Sequence, residues 1–202
     1  MKALILVDVQ NDFMPGGSLE VPGGDSIVRP LNAVQERFAL VVATQDWHPP
    51  DHVSFASNHP GLEPFQVITI EGREQTLWPD HCVQGSLGAA FHTDLTTNRV
   101  EAVFRKGMDH GIDSYSAFYD NGHLKSTGLA GYLREKEAKE LFFAGLAADI
   151  CVYFTVRDAL QEGFLAVVVE DAVCPLDLKD YSRKKEELNA QGVSFIKSGD
   201  IS

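Results

Sequence analysis

The chain has 202 residues, 44% of them hydrophobic, and a formal net charge of -12 at neutral pH. This length lies below the size at which single cores usually split, so one domain spanning 1–202 is expected. The acidic balance argues against a nucleic-acid or anionic-membrane surface, which would need clustered Lys and Arg, and favours a small-molecule substrate.

The amino terminus carries one Lys and a short apolar run, Ala3 to Val7, ending at Asp8. The run is too short for a signal-peptide core and reads as a buried strand. Ser26 to Phe38 has helical spacing, with Pro30 either in the opening turn of a helix that begins near Arg29 or at a kink. Ala39 to Ala43 is a second buried strand. Thr44 to Asn98 is rich in turn residues, with two weak extended patches at Gln66 to Ile70 and Thr76 to Trp78. A loop this long in a compact domain is usually functional, and the stretch at about 44–98 reads as a metal-binding and lid insertion. Beyond it, strands at Val100 to Phe104, Leu141 to Ala144, Phe164 to Val169 and Val193 to Ile196 alternate with helices at Ser126 to Lys136, Asp149 to Glu162 and Leu178 to Gln191. The pattern predicts a three-layer α/β/α, Rossmann-like fold with a six-stranded, mostly parallel sheet. No segment approaches transmembrane length. Cys82, Cys151 and Cys174 are odd in number and form no CxxC, which points to a reducing compartment and a cytoplasmic protein. Whether the chain forms a homo-oligomer is open.

Chemistry gathers at the predicted strand ends. Asp46 and His48 stand two residues apart, so in an extended segment they project to one side, and His81 sits in the turn-rich Trp78-Pro79-Asp80-His81-Cys82. One carboxylate and two imidazoles suit a divalent cation, most simply zinc, with iron or manganese as alternatives; three ligands leave a position open. Asp8, Lys106 and Cys151 also follow strands, and ligands of open parallel sheets bind beyond the carboxyl ends of the strands. Asp149 is a plausible N-cap, placing the Cys151 sulfur in a first helical turn whose dipole, with Lys106, favours a thiolate titrating below the free value. Asp8 can take the thiol proton and return it to a leaving amine. Each residue also has an ordinary reading: Cys151 as a small buried hydrophobe, Lys106 as a solvated lysine, Asp8 as a strand-end cap, Phe13 and Trp78 as packing. His52 and His59 read as mostly solvated, and His92, His110 and His123 match no ligand spacing. It is the joint occurrence at strand ends that favours chemistry.

The segments Val7-Asp8-Val9-Gln10-Asn11-Asp12-Phe13, Thr44-Gln45-Asp46-Trp47-His48-Pro49, Trp78-Pro79-Asp80-His81-Cys82, Lys106-Gly107 and Gly145-Leu-Ala-Ala-Asp-Ile-Cys151 resemble, in order, the nicotinamidase branch of the isochorismatase-like cysteine hydrolases. The resemblance implies hydrolysis of nicotinamide to nicotinate and ammonia in NAD salvage, and often of pyrazinamide, through a cysteine thioester. It implies Asp8, Lys106 and Cys151 as the catalytic triad, and Asp46, His48 and His81 as holders of one divalent ion. It further implies Phe13, Trp78 and Tyr115 around the pyridine ring, a cis peptide before Ala147, and an oxyanion hole from the amides of Ala147 and Cys151. Some relatives carry another histidine ligand six residues after the one matching His48, where this chain has Ser54, a candidate weak or water-mediated ligand. The alternatives are another amide or carbamoyl hydrolase of the superfamily, or a noncatalytic metal-binding or thiol-redox protein.

Overall fold

The computed structural model describes residues 1–201. Its main sheet has six strands in the order β5-β2-β1-β6-β7-β8. These are β1 Lys2–Val7, β2 Leu40–Asp46, β5 Val100–Lys106, β6 Glu140–Leu146, β7 Leu165–Cys174 and β8 Ser194–Ile196, and every pairing between them is parallel. Between β2 and β5 lies a separate antiparallel hairpin, β3 Val67–Ile70 and β4 Arg73–Thr76. The helices are α1 Val28–Gln35, α2 Leu129–Glu135, α3 Tyr153–Gln161 and α4 Leu178–Ala190.

Alternate residues of a strand point to opposite faces, and here both faces are covered. Leu4, Leu6, Val41, Ala43, Phe142, Ala144, Val167 and Val169 pack on one side with Leu31 and Val34 of α1. Ala3, Ile5, Val7, Val42, Leu141, Phe143 and Val168 pack on the other with Leu133 of α2, Val156 of α3 and Leu188 of α4. Each such Leu, Ile or Phe contributes about 1.5–3 kcal/mol relative to an exposed position, so the strand runs that read as uniformly apolar are the ones the layers enclose. Gly145 lets β6 approach β1: its φ is 127°, and a Cβ there would fall 2.0 Å from the Val7 carbonyl oxygen.

Several expectations need correcting. The strand expected at Val100 to Phe104 lies at the sheet edge and alternates in exposure, Val103 being 46% exposed, so one of its faces is uncovered. The second patch of the insertion is not Thr76 to Trp78 but Arg73–Thr76, set by the tight turn Glu71-Gly72 with φ of 49° and 79°. Trp78 instead bridges to Phe55. Pro30 sits in the first turn of α1. Asp149 is not an N-cap: it is buried, and its carboxylate accepts the Leu176 and Asp177 N–H groups at 2.8 and 2.9 Å. A π turn, Ala148–Val152, opens α3. Asp177 caps α4, its carboxylate accepting the Lys179 and Asp180 N–H groups.

Candidate active site

The chain leaves β1 for β2 and β5 on one side and returns to β6 on the other, so the sheet reverses direction beside β1. Asp8, Asp46, Lys106 and Cys151 stand at or just beyond the carboxyl ends of β1, β2, β5 and β6. Such a reversal opens a crevice, and these four side chains fill it.

Lys106 is the hub. It is 2% exposed, and its Nζ donates to Asp46 Oδ1 at 2.7 Å, to the Ser114 carbonyl at 2.9 Å and to Cys151 Sγ at 3.5 Å. Asp8 Oδ2 lies 3.0 Å from the same nitrogen, while Asp8 Oδ1 accepts the Thr44 hydroxyl at 2.6 Å. One oxygen each of Asp8 and Asp46 lies with Cys151 Sγ in a cluster within 4.8 Å. The solvated reading of Lys106 is therefore wrong. Burial disfavours its charge, but Asp46 and Asp8 outweigh that and hold its ammonium well above the usual lysine range. Burial raises Asp8 above the ordinary carboxylate value, with Lys106 opposing. Burial likewise pushes the Cys151 thiol well up; Lys106 opposes, and Asp8 and Asp46 add to the rise. This overturns the expected low-titrating thiolate, because a lysine shared among two carboxylates cannot offset desolvation of the sulfur.

The second group is equally ordered. The Nδ1–H of His48 donates to the Gly107 carbonyl at 2.9 Å, and that of His81 to the Pro79 carbonyl at 2.8 Å. A carbonyl only accepts, so each neutral ring carries its proton on Nδ1 and turns a bare Nε2 inward. The two Nε2 atoms lie 3.3 and 3.6 Å from Asp46 Oδ2, and His48 Nε2 is buried without a hydrogen-bond partner. Three electron-rich atoms facing one another suit a cation, and carbonyls orienting the far nitrogens are the usual support of histidine ligands. Asp46, His48 and His81 thus fit a divalent metal. Burial opposes the Asp46 charge, yet Lys106 holds it well below the carboxylate range. Gly107 is required here, since a Cβ would come within 2.3 Å of His48 Cε1.

Ser54 is fully buried, and its hydroxyl is engaged 2.7 Å from His52 Nδ1. His52 is buried rather than solvated, its ring centroid 4.2 Å from that of His48. Burial, the largest cause, pushes it down to about 4, so it is neutral near pH 7. His59 is half-buried and donates to the Val53 carbonyl at 2.8 Å.

Between the two groups opens a small cavity. Phe13, Trp78 and Tyr115 line it, along with Ala147, Cys151, Asp46 and His81. Trp78 Nε1 donates to the Tyr115 hydroxyl at 3.3 Å, with the rings edge to face. The Leu146-Ala147 peptide is cis, and the Ala147 carbonyl accepts the Ile150 and Val152 amides. Sequence reasoning missed Asp113, a buried carboxylate in the wall, and Gln75 behind it. Asp113 carries no motif signal; it reaches the site only because the loop after β5 folds back over Lys106. Asp12 was quoted but given no role, and its carboxylate accepts the Cys82 amide at 2.7 Å, tying the Phe13 segment to the His81 turn.

The isochorismatase domain model matches residues 2–200. The nicotinamidase of Escherichia coli (strain K12) is 46% identical over 98% of this chain and 96% of its own length. A solved nicotinamidase pyrazinamidase of Acinetobacter baumanii superposes with a TM-score of 0.96 at 44% identity, covering 100% of this chain and 98% of that one. A pyrazinamidase of Pyrococcus horikoshii, solved in complex with zinc, has a TM-score of 0.81 at 36% identity, over 97% of this chain and 98% of its own.

Proposed function

Because the chain belongs to the isochorismatase family, and its nicotinamidase relatives match it over nearly their whole length, we infer that it hydrolyses nicotinamide to nicotinate and ammonia, with pyrazinamide as a second substrate. Such a reaction belongs to NAD salvage. The observation that carries the reading is the single cavity that has Cys151 on one side and the donors Asp46 and His81 on the other.

Cys151 is the nucleophile and Asp8 its base. The raised Asp8 carboxyl, clustered with the Cys151 sulfur, is the proton acceptor and donor, and the raised thiol makes proton removal part of the attack rather than a prior event. As Asp8 takes the proton, Sγ bonds to the amide carbon. Backbone amides of Ala147 and Cys151 receive the oxyanion, and preorganised donors of this kind supply much of the rate. Lys106, held between Asp8 and Asp46, keeps a positive charge 3.5 Å from the sulfur as negative charge leaves it. Asp8 returns the proton to the leaving nitrogen, the C–N bond breaks and ammonia departs. Water then attacks the thioester, giving a proton to Asp8; the C–S bond breaks and the sulfur is reprotonated. Phe13, Trp78 and Tyr115 surround the ring. Asp46, His48 and His81 would hold a divalent ion, zinc being the simplest choice, which when bound supplies a Lewis-acid anchor for the ring nitrogen. Ammonia release from nicotinamide and pyrazinamide by metal-quantified protein tests the reading; no release from either refutes it.

A further inference from the structure

Asp46 and Asp113 are the carboxylates that line the cavity among the described residues. Asp46 is committed, with one oxygen on Lys106 and the other facing His48 and His81. Asp113 has neutral donors instead: the Ser114 N–H at 2.7 Å on Oδ1 and the Gln75 side-chain N–H at 3.0 Å on Oδ2. Both oxygens accept N–H groups, so the side chain, 3% exposed, is pinned from two directions. One of its oxygens clusters within 4.8 Å of ring nitrogens of His48 and His52. Lys106 touches the adjacent Ser114 carbonyl, but its charge is shared by Asp8 and Asp46. A fixed carboxylate without its own cationic side chain therefore faces the ring cavity.

We propose that Asp113 is a specificity residue that makes the site discriminate between the neutral amide and its anionic product. The inference rests on the amide-hydrolysis reading. Hydrolysis converts an uncharged carboxamide into a carboxylate inside a space that already holds a pinned negative charge. Repulsion that the substrate does not feel then weakens the hold on the acid, so turnover itself drives product out. Like-charge juxtaposition is a recognised means of excluding a wrong ligand, and here the wrong ligand is the product.

The test compares wild type with Asp113→Asn, Asp113→Ser and Asp113→Glu, with bound metal quantified in each. The readout is the ratio of the nicotinate inhibition constant to the nicotinamide KM, which a loss of packing alone does not move. At an effective dielectric of about 20, removing the charge should lower the ratio about 10-fold in both neutral variants, with Asp113→Glu keeping the wild-type ratio. Asp113→Ser guards against misfolding of the Asn variant, because its hydroxyl can still accept the Ser114 N–H. An unchanged ratio in a folded neutral variant overturns the proposal, as does a Glu variant that behaves like the neutral ones. If wild type releases no ammonia from nicotinamide, the functional reading fails separately. The same ratio is then taken from calorimetric dissociation constants, and equal values for wild type and the neutral variants overturn the charge discrimination on their own.

Discussion

The two halves of the crevice handle buried charge in opposite ways. Around Cys151 the charges close on themselves: Lys106 meets Asp8 and Asp46, and the proton the reaction needs stays within the cluster. Around Asp46, His48 and His81 they do not close, because both imidazoles are oriented by carbonyls so that bare nitrogens point inward. The first half is balanced by its own atoms, whereas the second turns toward one point a set of atoms that suits a cation from outside. Asp46 belongs to both, one oxygen in each, so the halves cannot be adjusted independently.

The largest expected effect falls on the self-contained half. Cys151→Ala should cut ammonia release by ~10⁴-fold or more, the scale of losing a nucleophile, while substrate still binds. Substantial turnover by that variant would remove the covalent route. Asp8→Asn should cost ~10²–10⁴-fold in kcat as the proton carrier is lost.

Asp8→Asn has a second consequence. A carboxyl whose folded pKa is raised binds its proton more tightly in the folded state, so it subtracts stability as pH rises from the unfolded value through the folded one. The neutral Asn side chain should relieve that penalty and raise the Tm measured at pH 7. Asp46 runs the other way: its lowered carboxyl adds stability above the unfolded value that is lost as pH falls below it. A lower Tm for Asp8→Asn at pH 7 would show that its contact with Lys106 outweighs its burial.

The open half predicts dependence on added metal. Chelation or His81→Ala should reduce activity by at least ~100-fold, beyond the usual cost of losing a partner outside the ligand set, and added metal should restore only the chelated wild type. Full activity in metal-free protein would leave the inward nitrogens without a purpose. If the ion reads the ring nitrogen, nicotinamide should exceed benzamide in kcat/KM by at least ~100-fold, the scale of an unmet polar contact, and the gap should narrow in His48→Ala. Equal efficiency for the two amides would separate the ion from ring recognition. The smallest effect belongs to Ser54→Ala, which removes one buried hydrogen bond to His52, costs about 1 kcal/mol of stability and leaves metal affinity intact. A marked fall in metal affinity there would make Ser54 part of the metal shell.

Much of this was legible along the chain. The apolar runs Ala3 to Val7 and Leu141 to Ala144 are central strands because only a strand covered on both faces tolerates such a run. Asp46 and His48 share a side because extended backbone repeats every two residues, and Cys151 follows β6 because a parallel sheet delivers its polar residues at strand ends. These are local relations, carried by periodicity and spacing. What depended on distant atoms was not legible. Val100 to Phe104 has the composition of an interior strand but lies at the edge, and Asp149 has the position of a cap but is drawn inward by the Leu176 and Asp177 amides. Burial of the Cys151 thiol reverses the shift that its place at a helix start suggests, because desolvation depends on everything packed around the sulfur. His52 and Asp113 became part of the site only when segments far apart in sequence closed over His48 and Lys106. The sequence by itself determined which chemistry the strand ends carry, since residue type and short spacing suffice for that. The tertiary structure alone decided which charges are paired, which nitrogens are bare and which carboxylate faces the ring, because electrostatic energy depends on distance and burial in space rather than on separation along the chain.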